Sequence, residues 1–334
     1  MGEDNHTILR PGSLFGAYRV LKRLGKGGMG EVYLVEDEAQ HRKYAVKVLD
    51  PESHGRDPEF LKRFIRESEF AMRVRHPNLV EVYDAGIDPE SGICYLTMEY
   101  LPGGSLRDLL AQRVEMSFPG VMTIATDIAR ALLLVERNGM VHRDVKPDNI
   151  MFAADGSAKL TDLGISRFSY GSDVAATQAN GMVGTPAYMA PEQMLDAHAV
   201  DIRADIYSLG IVMYEMITGH RPTEGQNAMR TLAKAIDGQS FPDVRYLRPD
   251  TPVYLARLVS KMTLPAVQER PESAWALLGL LSHPERILRA EDLPPPPPPR
   301  PPWYRDRGVL YAATAMILAT SALLVALVTV FTRD

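Results

Sequence analysis

Residues 309–331 form a run of 23 without one charge, proline or glycine. Wound as a helix at 1.5 Å per residue, that run is about 34 Å long, enough to cross the hydrocarbon of a bilayer. A buried core helix is the competing reading, and the length, the lack of charge and the terminal position all speak against it. Trp303 and Tyr304 stand just before the run, where interfacial aromatic anchors belong. Arg300, Arg305 and Arg307 precede it and only Arg333 follows. The positive-inside bias therefore orients the long N-terminal part to the cytoplasm, at the inner face of a cell membrane, with a tail of 332–334 outside. Eight of the 25 prolines fall within 294–302. Proline cannot donate to a helix or sheet ladder, so this stretch is expected as an extended, stiff spacer. Docking to an SH3- or WW-like groove is the weaker alternative. A linker over 286–308 and a membrane helix over 309–331 are the resulting expectations.

The remainder is water-soluble in composition. With the four arginines and two aspartates of 300–334 set aside, 33 basic side chains face 40 acidic ones, net −7. That balance offers no footprint for nucleic acid. The whole chain is 46% hydrophobic and 24% charged, which excludes collagen, full-length disorder and a polytopic membrane protein. A single cysteine, Cys94, excludes an intramolecular disulfide framework and a cysteine-rich zinc site. It reads as a buried apolar residue of a reducing compartment. The first fifteen residues hold no apolar secretory core, and His6 stands where a myristoylation signal has Ser or Thr. No internal repeat is visible.

Tyr18 to Leu24 alternates as a strand does, and Glu31 to Glu36 reads as a second strand. Between them, Gly25, Gly27 and Gly30 fit G-x-G-x-x-G. In a dinucleotide fold that pattern leads into a helix; here a β-branched, aromatic strand follows, which predicts a hairpin tip. A glycine-rich hairpin lets backbone N–H groups approach phosphates, although a plain flexible turn would read the same way. Lys43 to Leu49 is the next strand, and Lys47 between two valines must find an anion. Phe60, Phe64, Glu67, Ala71 and Val74 then share one face of a helix. Glu67 is an acid on an apolar face, where an unpaired charge costs several kcal/mol. Lys47 is its natural partner, unless either is a surface charge.

At this point the chain resembles the protein kinases. Gly25-x-Gly-x-x-Gly-x-Val32 with Ala45-Val-Lys47 matches that family's ATP-covering loop and phosphate-binding lysine. His142-Arg-Asp-Val-Lys-Pro-Asp-Asn149 matches its catalytic loop, and Asp162-Leu-Gly164 stands where the family has Asp-Phe-Gly. Ala190-Pro-Glu192 closes the activation segment. Asp205-Ile-Tyr-Ser-Leu-Gly210 opens an apolar stretch, Ile206–Ile217, that looks like the buried central helix of the large lobe. Arg270-Pro271 matches the late arginine that pairs with the glutamate at 192. The resemblance covers about residues 18–285.

It implies an α+β, bilobal fold: an antiparallel-sheet small lobe with one helix over 18–101, and a mainly helical large lobe over 102–285, after an N-terminal extension of 1–17. It also implies ATP- and Mg²⁺- (or Mn²⁺-) dependent phosphorylation of protein Ser/Thr. Lys47 would hold the α- and β-phosphates and Glu67 would orient it. Leu24, Gly25, Lys26, Gly27, Gly28, Met29, Gly30, Val32 and Ala45 would cover the nucleotide. Met98 would be the gatekeeper, with backbone groups of Glu99 and Leu101 beside adenine. Asn149 and Asp162 would supply hard oxygen ligands for the metal. Asp144 would accept the substrate hydroxyl proton and align it, and Lys146 would reach the γ-phosphate. His142 would be structural. Lys146 two places after Asp144, with Gly184-Thr185 ahead of the Ala190-Pro-Glu192 motif, resembles the serine/threonine branch, and the string around Gly30 with the C-terminal run is similar to bacterial Hanks-type receptor kinases. Leu163 in place of Phe is a tolerated apolar exchange. Ala71, smaller than the family's usual residue there, implies a looser helix.

Arg143 before Asp144 implies a partner for a phosphate on the activation segment. Thr177 resembles an autophosphorylation site, with Ser169, Ser172 and Thr185 as alternatives. Ala312, Ala315, Ala319, Ala322 and Ala326 form a small-residue stripe along the apolar run, consistent with a helix dimer or with chance. A homodimer through the small lobe or this helix is thus one expected partner, beside protein substrates and the lipid bilayer. A membrane-tethered pseudokinase scaffold is the alternative from another class, and intact Lys47, Asp144, Asn149 and Asp162 argue against it. The segment from Thr185 to Glu192 disfavours a small-molecule kinase.

Overall fold

The computed structural model describes residues 7–27, 30–50, 58–163, 186–195, 200–222, 239–288 and 292, with the backbone alone at 58–63, 65, 67, 186, 194 and 195. Residues 7–288 belong to one compact unit. The apolar run at 309–331 and the proline-rich stretch lie outside the described residues.

The smaller part is one antiparallel sheet. Its strands are β1 (Leu14–Phe15), β2 (Tyr18–Gly27), β3 (Gly30–Asp37), β4 (Arg42–Leu49), β5 (Val82–Ile87) and β6 (Cys94–Glu99), in the order β1-β2-β3-β4-β6-β5. The three strands expected from alternation are there, and β2 and β3 form a hairpin whose register pairs Gly27 with Gly30. Alternation along β4 sends Tyr44, Val46 and Val48 to one face and Ala45, Lys47 and Leu49 to the other. The first face joins Phe15, Val20, Tyr33 and Val35 in an outer core, which Leu9 from the chain start completes. The second joins Phe64 and Ala71, from helix α1 (Pro58–Arg73), with Cys94, Leu96 and Met98. Cys94 is buried, and burial pushes its thiol up. Leu9 and residues 14–15, which fall within the expected extension of 1–17, add an apolar cover and β1 to this sheet.

The larger part is mainly helical: α2 (Leu106–Ala111), α3 (Phe118–Arg137), α4 (Pro191–Leu195), α5 (Ile202–Thr218), α6 (Val253–Met262) and α7 (Ala274–Ser282). A two-stranded ribbon, β7 (Ile150–Phe152) and β8 (Ala158–Leu160), lies among them. Helix α5 is apolar all round and buried along nearly its whole length, as the Ile206–Ile217 stretch predicts. Asp201 caps its start by accepting from the Arg203 N–H. Among the described residues only α3 is long and apolar enough to cross a membrane, and half of its apolar window is buried inside this lobe.

Two backbone junctions set the lobes against each other. The Val80 N–H donates to Leu160 O at 3.0 Å, and the Leu160 N–H donates to Asn78 O at 2.8 Å. Beyond β6, the Gly103 N–H donates to Phe152 O at 3.1 Å and the Phe152 N–H to Gly104 O at 2.9 Å. Gly103 is required there: a Cβ on it would stand 2.7 Å from Phe152 O. These bonds hold β8, and with it Thr161 and Asp162, under the sheet.

Candidate active site

Three segments supply the residues of the site. The first is β4. Lys47, 12% exposed, reaches across to Asp162, and its Nζ donates to both carboxylate oxygens at 2.9 Å. A buried cation on an apolar strand has found its anion, but the partner within the described side chains is Asp162. The side chain of Glu67, expected as that partner, lies outside them. Burial would raise the Asp162 carboxyl; Lys47 first, then His142 and Lys146, hold it below the ordinary carboxylate range. Asp162 also has φ +64°, a left-handed backbone that turns its carboxylate out of the path of β8.

The second segment is the loop 142–149. Lys146 Nζ donates to Asp144 Oδ2 at 2.8 Å, and Asn149 Nδ2 donates to the same oxygen and to the Asp144 carbonyl, both at 2.8 Å. Asp144, Lys146 and Asn149 thus form one cluster, with Asp144 held from two sides. Among the described residues, the side-chain bonds of Asp144 fall on Oδ2. The Thr161 N–H donates to Asn149 O at 2.9 Å, which ties the cluster to the Asp162 segment.

The loop is held from below by a residue that sequence reasoning did not assign. Asp205, in the first turn of α5, is fully buried; its two oxygens accept the N–H groups of His142 and Arg143, each at 2.7 Å. Burial pushes its carboxyl up to about 6, with His142 and the two backbone N–H groups pulling the other way. Arg143 needs this support, since its φ is +69°. His142 is fully buried, bonded through Nε2 to Thr161 O at 2.9 Å and through Nδ1 to the Asp144 N–H at 3.3 Å, the structural role expected. An acid opening an otherwise apolar helix was the available signal for Asp205.

The third segment is 186–195. Arg270, its side chain wholly buried, makes a two-pronged bond to Glu192, Nη1 to Oε1 at 2.6 Å and Nη2 to Oε2 at 3.0 Å. Its remaining donors reach the carbonyls of Leu264, Arg203 and Pro265, and its plane lies over the Tyr207 ring. Tyr188 is fixed by Glu215 of α5 and by Arg107 of α2, which itself donates to Glu215 at 2.8 Å and approaches Asp148 at 3.4 Å. This second clamp was also missed, because its members are spread over three segments.

Above the site, Val32, Ala45 and Met98 share the inner apolar cluster. Met98 is buried and its sulfur lies 3.9 Å from Thr161 Oγ1. Leu101 is buried, and the Glu99 carboxylate pairs with Lys159 at 2.7 Å. Leu24 is exposed, as is the Lys26 side chain, and Gly25, Gly27 and Gly30 lie in the β2–β3 hairpin. Gly30 has φ +151°, and a Cβ there would meet Val48 O at 2.0 Å. A cavity is lined by Ser68, Ala71, Leu96, Met98, Asp162 and Leu163 among others. Gly28, Met29, Ser169, Ser172, Thr177 and Thr185 lie outside the described residues.

Comparison with known proteins gives the same answer from three directions. The family model described as the protein kinase domain matches residues 18–284. A probable serine/threonine-protein kinase of Clostridium acetobutylicum is 38% identical over 258 residues, 77% of this chain. Serine/threonine-protein kinase PknB of Mycobacterium tuberculosis is 38% identical over 70% of the chain, and PrkC of Bacillus subtilis is 34% identical over 78%. The chain spans only 37–39% of the length of these relatives. The crystal structure of the Mycobacterium tuberculosis PknI kinase domain superposes with a TM-score of 0.64 at 28% identity, covering 83% of this chain and 99% of that one.

Proposed function

This chain belongs to the protein kinase family, in its bacterial Hanks-type branch, and on that premise we propose that it transfers the γ-phosphoryl group of ATP to serine or threonine of proteins. The observation that carries the reading is the convergence of Lys47 and Asp162 with the Asp144–Lys146–Asn149 cluster. Phosphoryl transfer needs little covalent help from a protein; it needs alignment and stabilisation of charge spread over phosphoryl oxygens. Asp144, fixed by Asn149 and Lys146, orients the hydroxyl and takes its proton. Lys146 is a compact cation beside that carboxylate, suited to the transferring group. Lys47 moves between Asp162 and the phosphates of the bound nucleotide. Met98, Ala45 and Val32 offer the apolar surface for adenine, with backbone groups of Glu99 and Leu101 at its edge.

Asp162 and Asn149 fit a hard divalent cation. Both carry oxygen donors, and Asn149 spends its NH₂ on Asp144 and keeps its carbonyl oxygen. Two protein oxygens suit Mg²⁺, which keeps waters and phosphate oxygens as its other ligands. When bound, such an ion neutralises phosphate charge.

Anchoring by residues 309–331, with the catalytic part on the cytoplasmic side, is part of the same reading. So is autophosphorylation within 164–185, with Thr177 the first candidate and Arg143 its reader. A chain that only binds nucleotide has no use for an oriented Asp144 with a neighbouring lysine. The test is phosphoamino-acid analysis after incubation with labelled ATP, Mg²⁺ and a generic protein substrate. Label on phosphoserine or phosphothreonine supports the reading. Label on phosphotyrosine alone, or on a small molecule alone, overturns it. Thr177→Ala is expected to lower activity without unfolding, and an unchanged phosphopeptide map with equal specific activity would exclude that site.

A further inference from the structure

Glu31 is the acid that the site leaves unused. It follows Gly30 on β3, and alternation along the strand turns Val32 to the nucleotide face and Glu31 with Tyr33 to the opposite, outer face. Its side chain is 1% exposed. A carboxylate so buried must be bonded on all sides or cost several kcal/mol. Its partners come from two places. Arg23 Nη1 donates to Oε1 at 3.1 Å and Lys26 Nζ lies 3.7 Å from the same oxygen; both belong to β2, on the arm that leads into the glycine-rich hairpin. The Ile8 N–H donates to Oε2 at 3.1 Å, and the Tyr33 hydroxyl donates to that oxygen while accepting the Leu9 N–H at 3.0 Å. Burial alone would raise the Glu31 carboxyl; the Tyr33 hydroxyl and the Ile8 N–H lead the groups that hold it low. Leu9 is itself buried in the outer core. The register of β2 against β3 slips between Arg23 and Gly25, so the carboxylate bridges an irregular stretch that the ladder alone does not fix.

Resting on the functional reading above, we propose that Glu31 is a positioning residue for the nucleotide: it ties the chain start, Thr7–Arg10, to the base of the glycine-rich hairpin, so that ATP affinity is set in part from the outer face of the sheet. On that arm the Lys26 side chain is largely exposed. Release of the tie leaves the fold but widens the range of hairpin positions, and nucleotide binding then has to select among them.

The test uses the full chain and three changes: Glu31→Gln, which keeps the shape; Tyr33→Phe; and removal of residues 1–8. ATP KM, kcat, affinity for a fluorescent ATP analogue and melting temperature are read for each. Each change is expected to raise ATP KM and analogue Kd about three- to tenfold, the span of one to two ordinary hydrogen bonds, with kcat altered less than about twofold. In the chain lacking 1–8, Glu31→Gln should add less than about twofold, because the two changes break one linkage. Lower melting temperatures with unchanged KM and Kd, or full additivity of the changes, overturn the proposal and leave Glu31 a structural residue only. A wild-type chain that binds no nucleotide fails the functional reading first, and is told apart because no variant is needed to see it.

Discussion

Asp162 stays ionised inside a buried site because Lys47 stands against both of its oxygens. Its contribution to stability is therefore present above the ordinary unfolded value of 3.8 and is lost as pH falls through the lower folded value. Lys47→Met removes the leading cation and keeps the burial, so the Asp162 carboxyl should titrate above its wild-type position, seen by carbon NMR of the carboxyl group. An unmoved titration would show that Lys47 is not what holds it. Asp205 has the opposite sign. The folded chain keeps that proton longer than the unfolded one, so its contribution declines as pH rises from 3.8 towards about 6. Asp205→Asn sets an NH₂ against a backbone N–H and should cost about 1–3 kcal/mol in urea unfolding, along with most of the phosphotransfer. Local strings made Asp144, Lys146 and Asn149 legible, because all three sit within eight positions. Asp205 was visible only as an acid opening an apolar stretch; its role was not, since its partners are 62 and 63 positions away and only the fold brings them together.

At the scale of elements, α5 is the foundation. It supports the loop 142–149 through Asp205, the 186–188 turn through Glu215, and Arg270 through Tyr207. Its burial was readable from an apolar stretch without a polar face. The Arg270–Glu192 pair was expected from the resemblance, whereas the carbonyl partners that complete the arginine could come only from coordinates. Arg270→Lys keeps the charge and loses the planar fork, and should cost about 2–4 kcal/mol, read as a lower urea midpoint at unchanged slope. A midpoint equal to wild type would mean that the fork is dispensable. On the β2–β3 hairpin, Gly30→Ala drives a Cβ into the Val48 carbonyl and should cost about 1–3 kcal/mol of strain with weakened ATP binding. Strand positions were visible in alternation; the roles of residues 7–17 were not, because a two-residue strand and one buried leucine carry no periodic signal.

For the molecule as a whole, composition averaged over unlike parts. The ordinary hydrophobicity blends an acidic catalytic body with one uncharged run. The compact unit ends at Leu288, ahead of the proline-rich stretch. A chain cut after 288 should remain folded and active in solution, while the full chain should sediment with membranes and resist extraction by high salt. Salt-extractable full chain would remove the anchoring reading and leave the catalytic one intact. That catalytic reading holds binding and transfer to be the work of different groups: Lys47 and the hairpin hold the nucleotide, while Asp144 acts on the acceptor. The most direct measurement is therefore made on Asp144→Asn, with ATP affinity and the rate of label transfer to a protein substrate read on one preparation. The account predicts affinity within about twofold of wild type and transfer lowered by about 10²–10⁴. Transfer at the wild-type rate by Asp144→Asn would contradict it.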